Sequence, residues 1–355
     1  MIMAGGTGGH VFPALAVARH LRERGITVVW LGTRRGLEAR TVPDLGIDME
    51  WVSIRGLRGK GLFGWLLLPL RLGAAMVQVA GAILRRRPDA LLGMGGFVSG
   101  PGGLVACLLD RPLVIHEQNA VCGLTNRWLA RCADRVLTGF PRSVGLRPER
   151  CEYVGNPVRA EISDLPEPQR RFAGRDGRLR LLVIGGSQGA RLFNEMVPPA
   201  LARLGPQGRP LVRHQSGSGR ASEARDRYAE AGVIDAQVTE FIDDMAEAYA
   251  WADLVVCRAG AMTVAELAGA GLGAVLVPYA HAVSDHQAVN AAFLTDAGAA
   301  VMLREDELDD ARLAEVLREI GDRARLLDMA CRARSLGRPA ATEQVAQACM
   351  EMMRA

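Results

Sequence analysis

Short aliphatic and β-branched runs alternate along this chain with longer stretches rich in alanine and leucine. The runs predict strands at Ile2–Ala4, Thr27–Leu31, Met49–Ile54, Ala90–Gly93, Leu113–Glu117 and Arg135–Thr138 in the first half. In the second half they predict Leu179–Ile184, Leu211–Ser216, Gln237–Thr239, Leu254–Cys257, Ala274–Val277 and Ala300–Leu303. Several are apolar throughout, as strands buried on both faces are. Strand alternating with helix predicts an α/β fold of parallel sheets covered by helices. Twelve strands are many for one open sheet, so two six-stranded domains are expected. Residues 155–178 carry three prolines, many charges and no apolar period, the composition of a linker. Beyond it, LRLLVIGGSQGAR echoes the strand, glycine loop and helix start of the opening MIMAGGTGGH. The echo predicts two Rossmann-like domains, 1–158 and 159–339. The final stretch, 340–355, reads as a helix expected to pack back on the first domain.

Composition narrows the class. A chain of 355 residues suits two domains, and 49% hydrophobic with 23% charged residues describes a globular protein. Seven scattered cysteines without a CxxC pair argue against disulfides or zinc and for a reducing compartment. A net charge of +4 is too weak to imply nucleic acid. The opening is no signal peptide, because a glycine loop interrupts it. Leu62 to Leu84 comes nearest to a membrane span, but Pro69, Arg71 and Gln78 break it. From Trp51 to Pro88 there is no acidic residue, while Arg55, Arg58, Lys60, Arg71, Arg85, Arg86 and Arg87 are basic. Leu62, Phe63, Trp65 and Leu66 lie between these cations, in a run too continuous for a helix covering a core on one face. They predict a patch that dips into an anionic bilayer. Leu72 to Leu84 is expected to pack into the first domain.

Five motifs carry candidate chemistry. In GGTGGHVFPALAVARHL (5–21) glycines let backbone N–H groups approach a ligand, and the helix that follows points its positive end there. His10 closes that loop, where the dipole favours a neutral base; a capping histidine is the plain alternative. The spacing is not GxGxxG. GGSQGAR (185–191) offers Ser187 at a second helix start. GMGGFVSGPGG (93–103) has six glycines in eleven residues, which predicts close approach to a ligand or to the other domain. HEQN (116–119) ends a strand with Glu117 and Asn119 in reach of a sugar. In CRAGAMTVAELAGAG (257–271) small residues open a helix with its N–H groups free for a diphosphate, and Glu266, one turn in, can reach a ribose. Downstream, Gln287 sits at another strand-to-helix turn. His281 and His286 lack a carboxylate third, no DxD occurs, and Asp243 and Asp244 are adjacent and diverge, so neither metal nor cofactor is expected.

Taken together, GGTGGH, GLRGKG (56–61), GMGGFVSGPGG, HEQN, GNPVR (155–159), GGSQGA, TEFIDDM and GAMTVAEL stand in the order found in the MurG family, which the chain resembles from residue 1 to about 350. That resemblance implies a peripheral-membrane glycosyltransferase of GT-B architecture, two Rossmann-like domains facing across a cleft. It would work at the cytoplasmic face of the cell membrane beside other cell-wall synthesis proteins. Its reaction would be metal-independent, inverting transfer of GlcNAc from UDP-GlcNAc to lipid I, giving lipid II. Carried over by position, Thr7, Gly8 and Gly9 would line the cleft and Asn119 would meet the sugar. Arg159 would lie near the nucleotide, Ser187 would contact the diphosphate, and Ile242 would read the uracil edge. Ala261, Met262, Thr263, Val264, Ala265 and Glu266 would hold diphosphate and ribose, and Gln287 the GlcNAc hydroxyls. His10 resembles the family's base, with Glu117 as the rival. The chain departs from the family in Ala259, where serine is usual, and Gly273, where proline is usual. Another UDP-sugar transferase or a UDP-GlcNAc 2-epimerase is the alternative enzyme. An NAD(P) oxidoreductase is disfavoured by the missing GxGxxG, and a non-catalytic sugar-nucleotide sensor by His10.

Overall fold

The computed structural model describes residues 1–54, 68–186, 191–280 and 285–354. It divides into two α/β units, the first made of Met1–Val158 and Ala340–Ala355, the second of Arg159–Pro339.

The first unit is built on a parallel sheet of seven strands, β1 (Ile2–Met3), β2 (Val29–Gly32), β3 (Asp48–Trp51), β4 (Leu91–Gly93), β5 (Leu113–Glu117), β6 (Arg135–Thr138) and β7 (Cys151–Tyr153). Their order is β3-β2-β1-β4-β5-β6-β7. Side chains alternate between two cores because successive residues of a strand face opposite sides. Ile2, Trp30, Leu92, Val114 and Leu137 pack with helix Gly8–Glu23 and the C-terminal helix Ala341–Arg354. Met3, Leu31, Leu91, Leu113 and Val136 pack with Ala75, Val79 and Ile83 of helix Leu68–Arg86 and with Val105 of helix Ser99–Leu108. The seventh strand corrects the expectation of six. Strand β7 is a three-residue edge without a buried residue, so it leaves no apolar run to read.

Helix Leu68–Arg86 also corrects the charge reading. Its last turn folds onto β3, where Arg85 and Arg86 each donate to Glu50 at 2.6 Å and Arg86 reaches Asp48 at 2.9 Å. Two of the seven cations between Trp51 and Pro88 are therefore paired within the unit. Partial burial alone would raise the Glu50 pKa, but these hydrogen bonds outweigh it and hold the carboxylate below its usual range. The same helix buries only one face; Leu70, Val77 and Leu84 on the other are exposed.

The second unit has six parallel strands, β8 (Arg180–Ile184), β9 (Leu211–Gln215), β10 (Gln237–Thr239), β11 (Leu254–Cys257), β12 (Gly273–Leu276) and β13 (Ala300–Met302), in the order β10-β9-β8-β11-β12-β13. The segment expected to be a linker is instead largely packed into this unit. Residues Ala160–Ser163 and Pro168–Phe172 are short helices that bury Ile162 and Phe172. Arg171 is buried with them, and its guanidinium donates to the carbonyls of Pro166 at 3.0 Å, Tyr249 at 3.3 Å, Ala270 at 2.6 Å and Gly271. Burial, helped by Arg175 and Arg334 nearby, lowers its pKa to about 10. A polar segment can thus be interior when its charge satisfies the last carbonyls of a helix, here Ala261–Ala270.

Both sheets reverse strand order at one point, between β1 and β4 in the first and between β8 and β11 in the second. Open parallel sheets bind ligands at the carboxyl ends of the strands flanking such a point. The glycine motifs occupy those four strand ends.

Candidate functional sites

In the first unit the chain leaves β1 through Gly5 and Gly6 (φ +95°) and enters the helix at Gly8, with Thr7 as N-cap. Gly8 and Gly9 supply first-turn N–H groups, which have no partner inside a helix. His10 is half-buried, and its Nδ1 lies 3.3 Å from the Thr7 hydroxyl. Its other edge rests on the loop after β4. A side chain at Gly95 (φ +93°) would lie 2.6 Å from His10 Cδ2, and one at Gly96 (φ +82°) would lie 2.2 Å from the Gly5 carbonyl. The second glycine motif is therefore glycine so that it can pack against the first and against the histidine, within one unit. Burial lowers the His10 pKa below its ordinary 6.5, and the Glu117 charge opposes that shift. The shift favours the uncharged imidazole.

Glu117, the rival base, is buried and fully engaged. One oxygen accepts from the Asn119 backbone N–H at 3.0 Å and side chain at 3.3 Å. The other accepts from the Gly123 N–H at 3.1 Å and Asn126 at 2.9 Å. It holds the loop 119–126 in shape. His116 beside it is kept neutral, its pKa lowered to about 4 by burial, and its Nε2 donates to Gly155 O at 2.9 Å.

A second carboxylate escaped the sequence reading. Glu38, wholly buried, accepts from the Gly6 N–H at 3.0 Å, the Thr33 N–H at 3.0 Å and the Thr33 hydroxyl at 2.8 Å. It ties the end of β2 to the first glycine loop. The only local signal is a glutamate after Gly32 and Gly36, and side chains at Gly36 or Gly5 would collide with it.

In the second unit, β11 ends at Cys257 and helix Ala261–Ala270 starts from Gly260 without a side-chain cap. The N–H groups of Ala261, Met262 and Thr263 precede the first intrahelical bond, Val264 N–H to Gly260 O at 2.9 Å, and so face outward as a positive helix end. Val264 is buried, whereas Ala265 is half-buried. One turn on, Glu266 has a side chain 18% exposed, with Arg159 Nη2 3.7 Å from one oxygen and the Tyr249 hydroxyl donating to the other at 3.0 Å. Burial raises the Glu266 pKa; Arg159 and Tyr249 pull it back. Arg159 and Glu266, far apart in sequence, thus meet, and the buried Tyr249 that donates to Glu266 was missed. Gln287 opens helix His286–Thr295 and accepts from the Tyr279 N–H at 2.9 Å. Ile242 is half-buried in the loop after β10, just ahead of Asp244, whose carboxylate caps a helix at the Glu247 N–H, 2.9 Å. Arg258, also missed, grips Glu305 through two bonds of 2.9 and 3.1 Å and fixes the loop after β12. Ser187 lies outside the described residues, as do Leu62, Phe63, Trp65 and Leu66. Among the described residues no cluster of three or more metal-ligating side chains occurs, and no helix is long and apolar enough to cross a membrane.

Residues 1–138 match the glycosyltransferase family 28 N-terminal domain and residues 180–345 its C-terminal domain. The chain is 58% identical over 353 residues to the UDP-N-acetylglucosamine--N-acetylmuramyl-(pentapeptide) pyrophosphoryl-undecaprenol N-acetylglucosamine transferase of Halorhodospira halophila, covering 99% of this chain and 97% of that one. It is 56% identical to the protein of the same name from Alkalilimnicola ehrlichii, covering 100% and 99%. Its fold superposes on the crystal structure of Acinetobacter baumannii MurG with a TM-score of 0.86 at 39% identity, covering 99% of both chains. Two parallel-sheet units with glycine loops at their switch points, and this similarity along the whole length, place the chain in the MurG family of GT-B glycosyltransferases.

Proposed function

We infer that the chain transfers GlcNAc from UDP-GlcNAc to the 4-hydroxyl of lipid-linked MurNAc-pentapeptide, lipid I, to give lipid II in peptidoglycan synthesis. The observation that carries this is 58% identity, from end to end, to a transferase named for that reaction. In the mechanism we favour, the second unit holds the donor. The open end of helix Ala261–Ala270 takes the diphosphate, Glu266 oriented by Tyr249 and Arg159 takes the ribose, Ile242 the uracil edge, Ser187 the diphosphate and Gln287 the sugar. The first unit holds the acceptor, with Asn119 at its sugar. His10 removes the proton from the 4-hydroxyl, whose oxygen forms the bond to the anomeric carbon as that carbon's bond to the diphosphate breaks. UDP leaves with the electron pair, and attack from the opposite face inverts the centre. Helix N–H groups in place of a divalent cation offset the charge that develops on UDP. Glu117 acts by holding the loop that carries Asn119 and by raising the basicity of His10.

The lipid acceptor requires access to a bilayer. We assign the chain to the cytoplasmic face of the membrane, held through Leu62, Phe63, Trp65 and Leu66, the exposed face of helix Leu68–Arg86 and the cations that β3 does not pair. The test is incorporation of label from UDP-GlcNAc with and without a lipid I analogue. Acceptor-dependent formation of a disaccharide lipid is expected; 2-epimerisation of the donor without acceptor overturns the assignment.

A further inference from the structure

The first unit carries an open groove of 870 Å³ along the carboxyl ends of β2, β3 and β4, lined in part by Trp51, Phe97, Leu104, Leu124 and Trp128. Four of these are large side chains left uncovered, Phe97 at 52%, Leu104 at 41%, Leu124 at 72% and Trp128 at 62% exposure. Contiguous apolar surface of this kind marks a place where something binds. The charged residues along the groove are Arg34, Arg35 and Arg71, all exposed; among the described residues no carboxylate lines it. The Arg34 guanidinium lies 5.1 Å above the Trp51 ring, so cation and apolar wall are contiguous.

The groove begins where the His10 site ends. Phe97 lies two residues beyond Gly95, which packs on His10, and Leu124 adjoins Gly123, which Glu117 holds. An apolar trough with a cationic rim and no acid fits a hydrocarbon chain bearing an anionic head. The Gly6 N–H of the first glycine loop is bonded to the buried Glu38 carboxylate, and the exposed guanidinium groups of Arg34, Arg35 and Arg71 are the cations that line the groove.

Resting on the acceptor assignment above, we propose that this groove binds the prenyl diphosphate of the acceptor. The hydrocarbon lies on Phe97, Leu124 and Trp128, the diphosphate at Arg34, Arg35 and Arg71, and the sugar is left at His10. The probe is geranylgeranyl diphosphate, titrated calorimetrically below its micelle concentration against the full chain, with inorganic pyrophosphate and geranylgeraniol as the two half-ligands. The diphosphate should bind at least about tenfold more tightly than pyrophosphate, the scale of burying a few apolar groups. The double change Leu124→Ser with Trp128→Ser should weaken it by about tenfold or more, and Arg34→Gln with Arg35→Gln should weaken it and flatten its salt dependence. Unchanged melting curves for these surface variants and unchanged UDP affinity show that both units remain folded. Equal affinity in parent and variants, or pyrophosphate binding as well as the prenyl diphosphate, overturns the groove. Binding needs no turnover, so transfer without prenyl diphosphate binding would sink the groove alone, and binding without transfer the assigned reaction alone.

Discussion

At the residue scale the two candidate bases, His10 and Glu117, differ in their hydrogen bonds. Both oxygens of Glu117 are taken by four donors, whereas among the described residues the hydrogen-bonding group at His10 is the Thr7 hydroxyl beside its Nδ1. His10→Ala should therefore lower kcat by about 10²–10⁴, the usual cost of losing a general base, with UDP affinity preserved by titration. In the proposed mechanism the base works unprotonated, so the rate should fall as pH drops through the His10 pKa, below 6.5 because of burial. The Glu117 charge raises that pKa by favouring the imidazolium. Removing it in Glu117→Gln should lower the pKa and move the acid limb of the kcat profile to lower pH, alongside a lower maximal rate from the disturbed loop. A limb that moves toward neutral pH would remove Glu117 from the neighbourhood of the base. In the other unit, Glu266→Ala should weaken donor and UDP binding by roughly ten- to a hundredfold, as loss of a charge-assisted group does, and leave acceptor KM alone. Tyr249→Phe, which only frees one carboxylate oxygen, should give a smaller change in the same direction.

At the scale of elements, what matters is how closely two glycine loops approach. A methyl group at Gly96 would meet the Gly5 carbonyl at 2.2 Å, on a residue whose φ of +82° already favours glycine. Gly96→Ala should cost roughly 1–3 kcal/mol of stability in the first unit, measured by denaturant melting, and should lower kcat while UDP affinity holds. A glycine-rich stretch announces backbone proximity in the sequence, but not to what. The reading of residues 93–103 left a ligand or the other domain open, and the partner is the neighbouring loop and His10. Helix starts bear on the metal question in the same way. In the proposed mechanism the helix Ala261–Ala270 offsets the leaving diphosphate, so turnover should survive stringent EDTA treatment, and activity lost to EDTA and restored by magnesium would contradict that role. At Gly273, a departure from the family, a side chain would lie 3.1 Å from Met329 Cβ, so a larger residue there requires that neighbour to shift by a few tenths of an ångström.

At the scale of the whole molecule, the last helix belongs to the first unit although it follows the second in sequence. It buries Val345, Ala346, Ala348 and Cys349 in the core that also holds Ile2 and Trp30. Truncation before Ala340 should therefore cost on the order of 3–5 kcal/mol and lower the melting of the first unit, with UDP binding by the second retained at low temperature. Simultaneous loss of UDP binding would mean that the second unit depends on that helix too. Strand positions were legible in sequence because a strand buried on both faces must be apolar throughout. Leu254–Cys257, apolar and buried along its whole length, has the ends its run predicts; Leu113–Glu117, Arg135–Thr138 and Gln237–Thr239 also have the predicted ends, although Gln237 and Thr239 are exposed. Glycine loops and an uncapped helix start are likewise local, and so they could be read. The edge strand β7, the burial of Arg171, the pairing of Arg85 and Arg86 with β3, and the meeting of Glu38 with Gly6 were not. Each depends on which distant segment the strand order brings alongside. A charged side chain reads as solvated until its partner is known, and periodicity records how deeply an element is buried but not what it is buried against.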